Sequence, residues 1–310
     1  MKTLIDLLTL TFLNCCYLAV RILPAKLGKQ ICMTLTALGI SAVPKFKAVA
    51  LRNLEHVFPE LTQTARVKIF RQSIAGLGLN FYYFLTLENY SLEWAKQHFE
   101  YAEAHKVFDT ALKQAEGKGI IIATVHYGCF ELLVHVHALL SRPTSILARG
   151  LDLKYTDRWI NRRRNLTKNT VFERKGAYQK IVSNLQSGCD VAMLIDQNVK
   201  INHAVFINFF GHTASATKSV ALAAERTSAP IIFAAIRSLG DDRFYIHAEL
   251  MQAKLQGKSV TEKVHDLTQE LHSRIEVLVK NYPEEWFWIH RRWKTQPPGK
   301  NEDFYSTNPS

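Results

Sequence analysis

The sequence predicts an α/β fold, in which a mixed sheet is covered by helices and follows an N-terminal hydrophobic helical membrane anchor. Two patterns indicate this fold. After about residue 98, short apolar runs alternate with amphipathic stretches, which is typical of a sheet packed between helices. Before residue 45, two apolar runs carry no charged residue. A chain of 310 residues with 47% hydrophobic residues can bury a large core, which excludes a disordered or fibrous protein.

The two uncharged runs, residues 7–20 and 31–44, predict membrane-anchoring helices within residues 1–45. Each run is shorter than the roughly 20 residues of a straight span, so the helices either tilt through the bilayer or lie in its interface. Lys2 precedes the first run as in a secretory signal, but no small-x-small cleavage site follows. Two buried helices of a soluble core are the alternative interpretation.

The rest of the chain divides into three predicted parts. Residues 46–98 form a helical entry region, because apolar residues recur at helical spacing over residues 61–87. Residues 99–295 form the α/β domain, and residues 296–310 form a mobile tail that begins with prolines and a glycine. The predicted strands cover residues 119–125, 144–148, 190–195, 230–237 and 243–250. The predicted helices cover residues 130–140, 154–168, 176–187, 214–227 and 260–280.

Charge and cysteine content restrict the partners and the compartment. The formal net charge is +12, so the surface attracts polyanions such as anionic lipid, an acidic carrier protein or nucleic acid. The five cysteines are odd in number and show neither metal-ligand nor disulfide-framework spacing. This pattern favours a reducing, cytosolic location for the main domain. We expect no metal or other cofactor.

The segment His126-Tyr-Gly-Cys-Phe-Glu131 is the main candidate for chemistry. Two other His-x4-acid pairs occur, His98/Glu103 and His265/Glu270, so the spacing alone is not informative. His126, however, follows a buried apolar strand, and Gly128 permits a sharp turn into a helix. Ligands bind at this edge of open α/β sheets. We expect Glu131 to hold one imidazole nitrogen, which leaves the other nitrogen as a general base. A core histidine bonded to backbone is the alternative.

An ordered set of motifs over nearly the whole chain resembles the late acyltransferases of lipid A biosynthesis. These enzymes belong with the wider glycerolipid acyltransferases, so the resemblance implies a glycerolipid-acyltransferase-like sheet. Glu131 as the acid of the motif favours the lipid A branch. The matching segments are Leu51-Arg-Asn-Leu54, Val57-Phe-Pro-Glu60, His126 to Glu131, Ala148-Arg149-Gly150, Asn161-Arg-Arg-Arg164, Leu194-Ile-Asp196-Gln197, Phe209-Phe-Gly211, Arg226-Thr-Ser-Ala-Pro230 and Trp286-Phe-Trp-Ile-His-Arg-Arg-Trp-Lys294.

The resemblance also implies roles for individual residues. It makes His126 the general base for the acceptor hydroxyl and Glu131 the acid that orients it. An arginine that is catalytic or orients the substrate maps to Arg164, with Arg162 and Arg163 as neighbouring alternatives. The substrate-binding positions implied are Arg149, Asp196 and Gln197. Asp196 has the alternative interpretation of a structural partner for one of these arginines.

The implied reaction is direct transfer of a fatty acyl chain from the thioester of an acyl carrier protein to a hydroxyl of a lipid A precursor. It implies a location at the inner membrane, with the catalytic domain facing the cytoplasm. The same chemistry on another lipid acceptor, or with acyl-CoA as donor, is the nearest alternative. A basic membrane-peripheral or nucleic-acid-binding protein is a remote one, since no nucleic-acid module is recognisable and we expect no nucleic-acid partner.

Three further features could also bear on function. Cys129 lies inside the motif and suggests a covalent acyl-enzyme, but direct transfer is what the resemblance implies. His135 and His137 are two residues apart, so they point to different faces of a helix and do not form a metal site with His126. The segment from Trp286 to Lys294 is a membrane-interface belt, a base-stacking surface or packing beneath the active site.

Overall fold

A central seven-stranded sheet organises the computed structural model, which describes residues 1–173, 176–251, 259–299 and 304–306. In chain order the strands are β1 (Phe99–Glu100), β2 (Ile121–Thr124), β3 (Thr144–Ala148), β4 (Thr170–Glu173), β5 (Asp190–Leu194), the separate hairpin of β6 (Ala204–Phe209) and β7 (His212–Thr217), then β8 (Ile231–Gly240) and β9 (Arg243–Met251). The order across the sheet is β1-β9-β8-β2-β5-β3-β4. Only β8 and β9 pair antiparallel within it, so the predicted mixed sheet is confirmed.

Helices cover both faces of this sheet, and further helices precede it at the N-terminus. They are α1 (Lys2–Ile22), α2 (Ala25–Ser41), α3 (Pro44–Val57), α4 (Gln63–Leu85), α5 (Leu92–His98), α6 (Ala102–Gln114), α7 (Phe130–Leu140), α8 (Lys154–Arg164), α9 (Ala177–Gln186), α10 (Ser219–Thr227) and α11 (Val260–Asn281). A capping box of Ser259 and Glu262 starts α11.

The apolar run of β2 is continuous because both of its faces are covered. Ile122 belongs to a core cluster with side chains of α5, α6 and α7, whereas Ile121 and Ala123 belong to a second cluster with side chains of α9, α10 and α11. All four residues of the strand are buried. This double coverage is usual for parallel strands, and it leaves the carboxyl end of β2 as its free end.

Helix α1 is long and apolar enough to cross a membrane, and α2 with α3 forms a second candidate that bends by 93°. Many large apolar side chains of α1 are exposed, among them Leu4, Leu8 and Phe12. Its one acidic residue, Asp6, is buried and accepts hydrogen bonds from the backbone N–H groups of Tyr155 and Thr156 at 2.8 and 2.9 Å. The predicted anchor therefore packs on the first turn of α8.

The predicted helix over residues 214–227 is wrong in its first part, because residues 212–217 form β7 and the helix starts at Ser219. Small residues such as Ala214 and Ala216 suggest a helix, but here they pair across a hairpin with Ile207 and Val205. Phe210 and Gly211 both have positive φ, as a tight two-residue hairpin turn requires. Strands β1, β4 and β6 were also not predicted.

Other predicted boundaries shift by a few residues. Helix α8 ends at Arg164 and continues as a short 3-10 turn, Asn165–Thr167, rather than as helix to residue 168.

Within the predicted tail, Phe304 packs against Trp293 and the Tyr305 hydroxyl donates a hydrogen bond to Asn53 at 2.8 Å. The remaining tail residues 300–303 and 307–310 lie outside the described residues.

Candidate active site

His126 lies at the carboxyl end of β2, next to the carboxyl end of β5. These strands are parallel neighbours with Thr124 opposite Leu194, so the residues that follow them meet at one edge of the sheet. There the Nδ1 atom of His126 lies 2.8 Å from Oδ1 of Asp196, and the backbone N–H of His126 donates to Oδ2 of Asp196 at 3.1 Å. The carboxylate thus holds both the ring and the main chain of the histidine.

Asp196 is almost completely buried, and its pKa is nevertheless lowered to about 2. Burial alone would raise this pKa. The opposing effects are larger in sum: the charge and hydrogen bond of His126, the indole N–H of Trp286 at 3.0 Å from Oδ2, and the nearby His290. Asp196 is therefore a carboxylate at neutral pH.

This arrangement determines which imidazole nitrogen is available for chemistry. An ionised carboxylate only accepts hydrogen bonds, so the proton of neutral His126 lies on Nδ1 and Nε2 carries the free electron pair. Nε2 lies 3.3 Å from the amide nitrogen of Gln197. The rings of Phe130 and Phe287 flank the imidazole, with centroids 5.0 and 5.6 Å from its own. Nε2 is the nitrogen that can take a proton from a substrate.

The expected bond between Glu131 and the imidazole is absent from the structure, and Asp196 takes that place. Glu131 lies in the first turn of α7 and faces Arg164 at the end of α8. The guanidinium Nε donates to Oε2 of Glu131 at 3.0 Å, and Nη2 contacts Oε1. The planar fork of arginine satisfies both carboxylate oxygens at once, which one imidazole N–H cannot do. The alternative interpretation, in which Asp196 is a structural partner for one of the arginines of the site, is also wrong.

Arg164 is the arginine of the neighbouring three that lies in the site. Burial alone would lower its pKa, but the charge and hydrogen bonds of Glu131 raise it. Arg163 is buried on the other side of α8 and donates to the backbone oxygens of Phe84 and Leu85, as well as to Glu88. Arg162 is exposed. The predicted assignment to Arg164 therefore agrees with the position of the side chain, while its catalytic role stays a prediction.

The predicted site residues line a cavity of about 230 Å³, except for Asp196, which lies beneath it. One part of the wall is polar and contains His126, Gln197 and the Glu131–Arg164 pair, together with Arg149. The other part is apolar and is formed by side chains of α7, β3 and β5: Phe130, Val134, Ile146, Leu147, Ala148, Ala192, Met193 and Leu194. The imidazole of His126 and two guanidinium groups thus lie beside an apolar wall.

The C-terminal aromatic segment packs beneath the active site, which was one of its three interpretations. Trp286, Trp288 and Trp293 are buried, so they do not form an exposed belt. His290 accepts a hydrogen bond from the backbone N–H of Asn198 at 2.8 Å, and its pKa falls to about 4, chiefly because it is buried. The contact of Trp286 with Asp196 was missed because tryptophan in a mixed aromatic and basic segment is read first as a surface anchor.

Cys129 does not have the environment of a nucleophile. Its side chain is buried, and burial raises its pKa well above that of an ordinary thiol. A thiol that stays protonated at neutral pH is a poor nucleophile. The adjacent Gly128 has a φ of +55°, and a Cβ there would lie 2.2 Å from the backbone oxygen of Ile236, so the turn requires glycine. The motif turn is therefore closely packed.

Comparison with known proteins shows the family of the chain. Residues 3–295 match the bacterial lipid A biosynthesis acyltransferase family. The chain belongs to this family. It is similar to the lipid A biosynthesis palmitoleoyltransferase of Escherichia coli (strain K12), with 24% identity over 284 residues that cover 87% of each chain.

Two further relatives extend the comparison. The lipid A biosynthesis acyltransferase of Haemophilus influenzae is 22% identical over 264 residues, covering 83% of this chain and 80% of the relative. The lipid A biosynthesis lauroyltransferase of Escherichia coli (strain K12) is 21% identical over 250 residues, covering 80% and 79%. Membership of the family makes this chain an O-acyltransferase of lipid A biosynthesis and implies a lipid A precursor as acceptor.

Proposed function

We propose that the protein transfers a fatty acyl chain from the thioester of an acyl carrier protein to a hydroxyl of a sugar-extended, tetra-acylated lipid A precursor. The observation that carries this proposal is the His126–Asp196 pair: Nε2 of His126, which accepts a hydrogen bond from the Gln197 amide at 3.3 Å, faces a cavity with one apolar wall and two arginines. A general base, a place for an acyl chain and cations for a phosphorylated acceptor are what this reaction needs.

In the proposed step, Nε2 of His126 takes the proton of the acceptor hydroxyl as its oxygen attacks the thioester carbonyl carbon. The new C–O bond gives a tetrahedral intermediate with a negative oxygen. The C–S bond then breaks, and the imidazolium returns the proton to the leaving thiolate. Asp196 stabilises the transient imidazolium and keeps Nε2 directed at the substrate, because it bonds both Nδ1 and the backbone N–H.

The arginines supply positive charge at two places in the cavity. Arg164 is fixed by the two oxygens of Glu131, so its remaining N–H groups have a defined direction. We assign it to the developing oxyanion or to the substrate group next to it. Arg149 is exposed at the cavity and suits a phosphate of the acceptor. Gln197, beside Nε2, is placed to bind the acceptor hydroxyl.

The net charge and the N-terminal helix support the donor and the location that we propose. The net charge of +12 favours the acidic acyl carrier protein as donor and an anionic membrane surface as the place of action. Exposed apolar side chains on α1 suit contact with lipid, and the bond between Asp6 and α8 keeps this helix next to the catalytic domain. We propose the cytoplasmic face of the inner membrane.

The proposal is tested by incubating detergent-solubilised protein with the precursor and a radiolabelled acyl chain on either acyl carrier protein or coenzyme A. The expected result is a product with one added acyl chain, formed much faster from the carrier protein. Faster transfer from coenzyme A would reject the donor, and a folded protein that is inert with both donors would reject the acceptor.

A further inference from the structure

We propose that Trp286 is a positioning residue for the general base, acting through Asp196; this rests on the proposed function of His126. Its indole N–H donates to Oδ2 of Asp196 at 3.0 Å, and both residues are buried. Oδ2 also accepts from the backbone N–H of His126, while Oδ1 faces the imidazole. The indole therefore completes the hydrogen bonding of the carboxylate on the side away from the ring.

The same segment also holds the turn that carries His126. Trp286 forms an isolated antiparallel bridge with Tyr127, and the backbone N–H of Gly128 donates to the backbone oxygen of Glu285 at 2.9 Å. The chain around residue 286 thus contacts the turn after β2 through its backbone and the residue after β5 through its side chain. Trp286 ties together the two strand ends between which the base is held.

The indole N–H has a chemical consequence that goes beyond shape. A hydrogen bond to a buried carboxylate disperses its negative charge, so the carboxylate attracts a neighbouring imidazolium less strongly. Without this donor, Asp196 would hold the protonated form of the base more tightly, and a higher pH would be needed to free Nε2. The proposed role of Trp286 is therefore electrostatic as well as steric, whereas a residue that only fills space would not change the pH dependence.

The chain offers a matched control in Trp288. It is equally buried, lies in contact with Trp286 with ring centroids 4.8 Å apart, and also uses its indole N–H in a hydrogen bond. That bond, however, goes to the backbone oxygen of Pro283 at 2.6 Å and not to Asp196. Trp286→Phe and Trp288→Phe therefore remove the same atoms from neighbouring buried positions, and only the first removes a donor from the carboxylate.

The experiment measures kcat/KM for acyl transfer against pH for the wild type and both variants. We expect the acidic limb of the Trp286→Phe profile to move to higher pH by about one unit, which is about a tenfold lower rate at any pH below the limb. The Trp288→Phe limb should stay with that of the wild type. If Trp286→Phe does not fold, benzothienylalanine at position 286 keeps the bicyclic shape without the N–H and should give the same shift.

The outcomes separate this proposal from the proposed function. An inactive wild type would reject the function itself. An active wild type with unmoved limbs would show that the carboxylate needs no donor from residue 286, and equal shifts in both variants would show a general packing effect. Either of these results would overturn the assignment of Trp286.

Discussion

The substitution Asp196→Asn tests the arrangement of the base most sharply, because it preserves shape and changes hydrogen bonding. Two donors, the backbone N–H of His126 and the indole N–H of Trp286, both point at Oδ2. The amide oxygen of asparagine must therefore occupy that position, which places its NH2 group where Oδ1 now faces the imidazole. A donor there forces Nδ1 to accept, so the proton moves to Nε2 and the base is lost.

The expected magnitude has a catalytic and a stability part. The same tautomer change lowers kcat about 10⁴-fold in a Ser-His-Asp triad, and we expect a loss of about 10² to 10⁴-fold here. The pKa of Asp196 is about 2 against an ordinary 3.8, which corresponds to roughly 2 kcal/mol of stability. Because the folded pKa is the lower one, this stability is present above about pH 4 and disappears as the pH falls towards 2.

The assay combines acyl transfer with denaturant unfolding of the detergent-solubilised protein. Asp196→Asn should be folded, nearly inactive at pH 7, and less stable than the wild type by roughly 2 kcal/mol at pH 7, by roughly 1 kcal/mol near pH 3 and by much less near pH 2. A folded variant that keeps more than about a tenth of the wild-type rate would refute the reasoning, since Nε2 would then be a base without the carboxylate.

Three further sets of variants test separate interactions. Glu131→Ala and Arg164→Ala should each lower kcat/KM, and the double variant should be little worse than either single variant. This corresponds to a coupling energy of about 1.5–3 kcal/mol between the two residues. Additive losses would show that the bidentate pair does not act as a unit. Arg163→Ala should lower the free energy of unfolding by about 3 kcal/mol, because it removes a buried cation from Glu88 and from two backbone carbonyls. The control Arg162→Ala removes an exposed side chain and should change this free energy by less than about 0.5 kcal/mol. Equal effects of the two substitutions would contradict the structural role of Arg163. Burial and Glu284 raise the pKa of Glu285 to about 7, so this carboxyl contributes less stability as the pH rises from about 4.5 to 7, by about 3 kcal/mol, while the lowered pKa of His290 acts in the opposite direction. The stability of Glu285→Gln relative to the wild type should therefore increase by about that amount over this interval in unfolding experiments; an unchanged difference would contradict the assignment to Glu285.

Much of the fold was predictable because the central strands are buried on both faces. The apolar runs of β2, β3, β5, β8 and β9 stand out from the amphipathic helices around them. The hairpin of β6 and β7 was not predictable. Ala214, Ser215 and Ala216 alternate between its two faces, and this alternation indicates a strand only when the partner strand is known. Strand β1 has two residues and no pattern to detect.

The site shows the same limit. His126 was identifiable from its own strand and turn, but its carboxylate partner is set by which strand lies beside β2. Glu131 is nearer in sequence, yet the parallel pairing of β2 with β5 brings Asp196 to the ring. The arginine pairing of Glu131 depends on the packing of α8 near α7, which local spacing does not encode. The resemblance therefore pointed to residues that the structure brings together, whereas sequence proximity gave the wrong partner for His126.

The measurement that tests the account most directly is transfer of a radiolabelled acyl chain to the lipid A precursor by wild type and His126→Ala. We expect transfer by the wild type and a loss of several orders of magnitude in a variant that remains folded, because the other acid or base among the described residues that line the cavity, Glu131, is bound to Arg164. Transfer by His126→Ala at a rate close to that of the wild type would contradict the central claim.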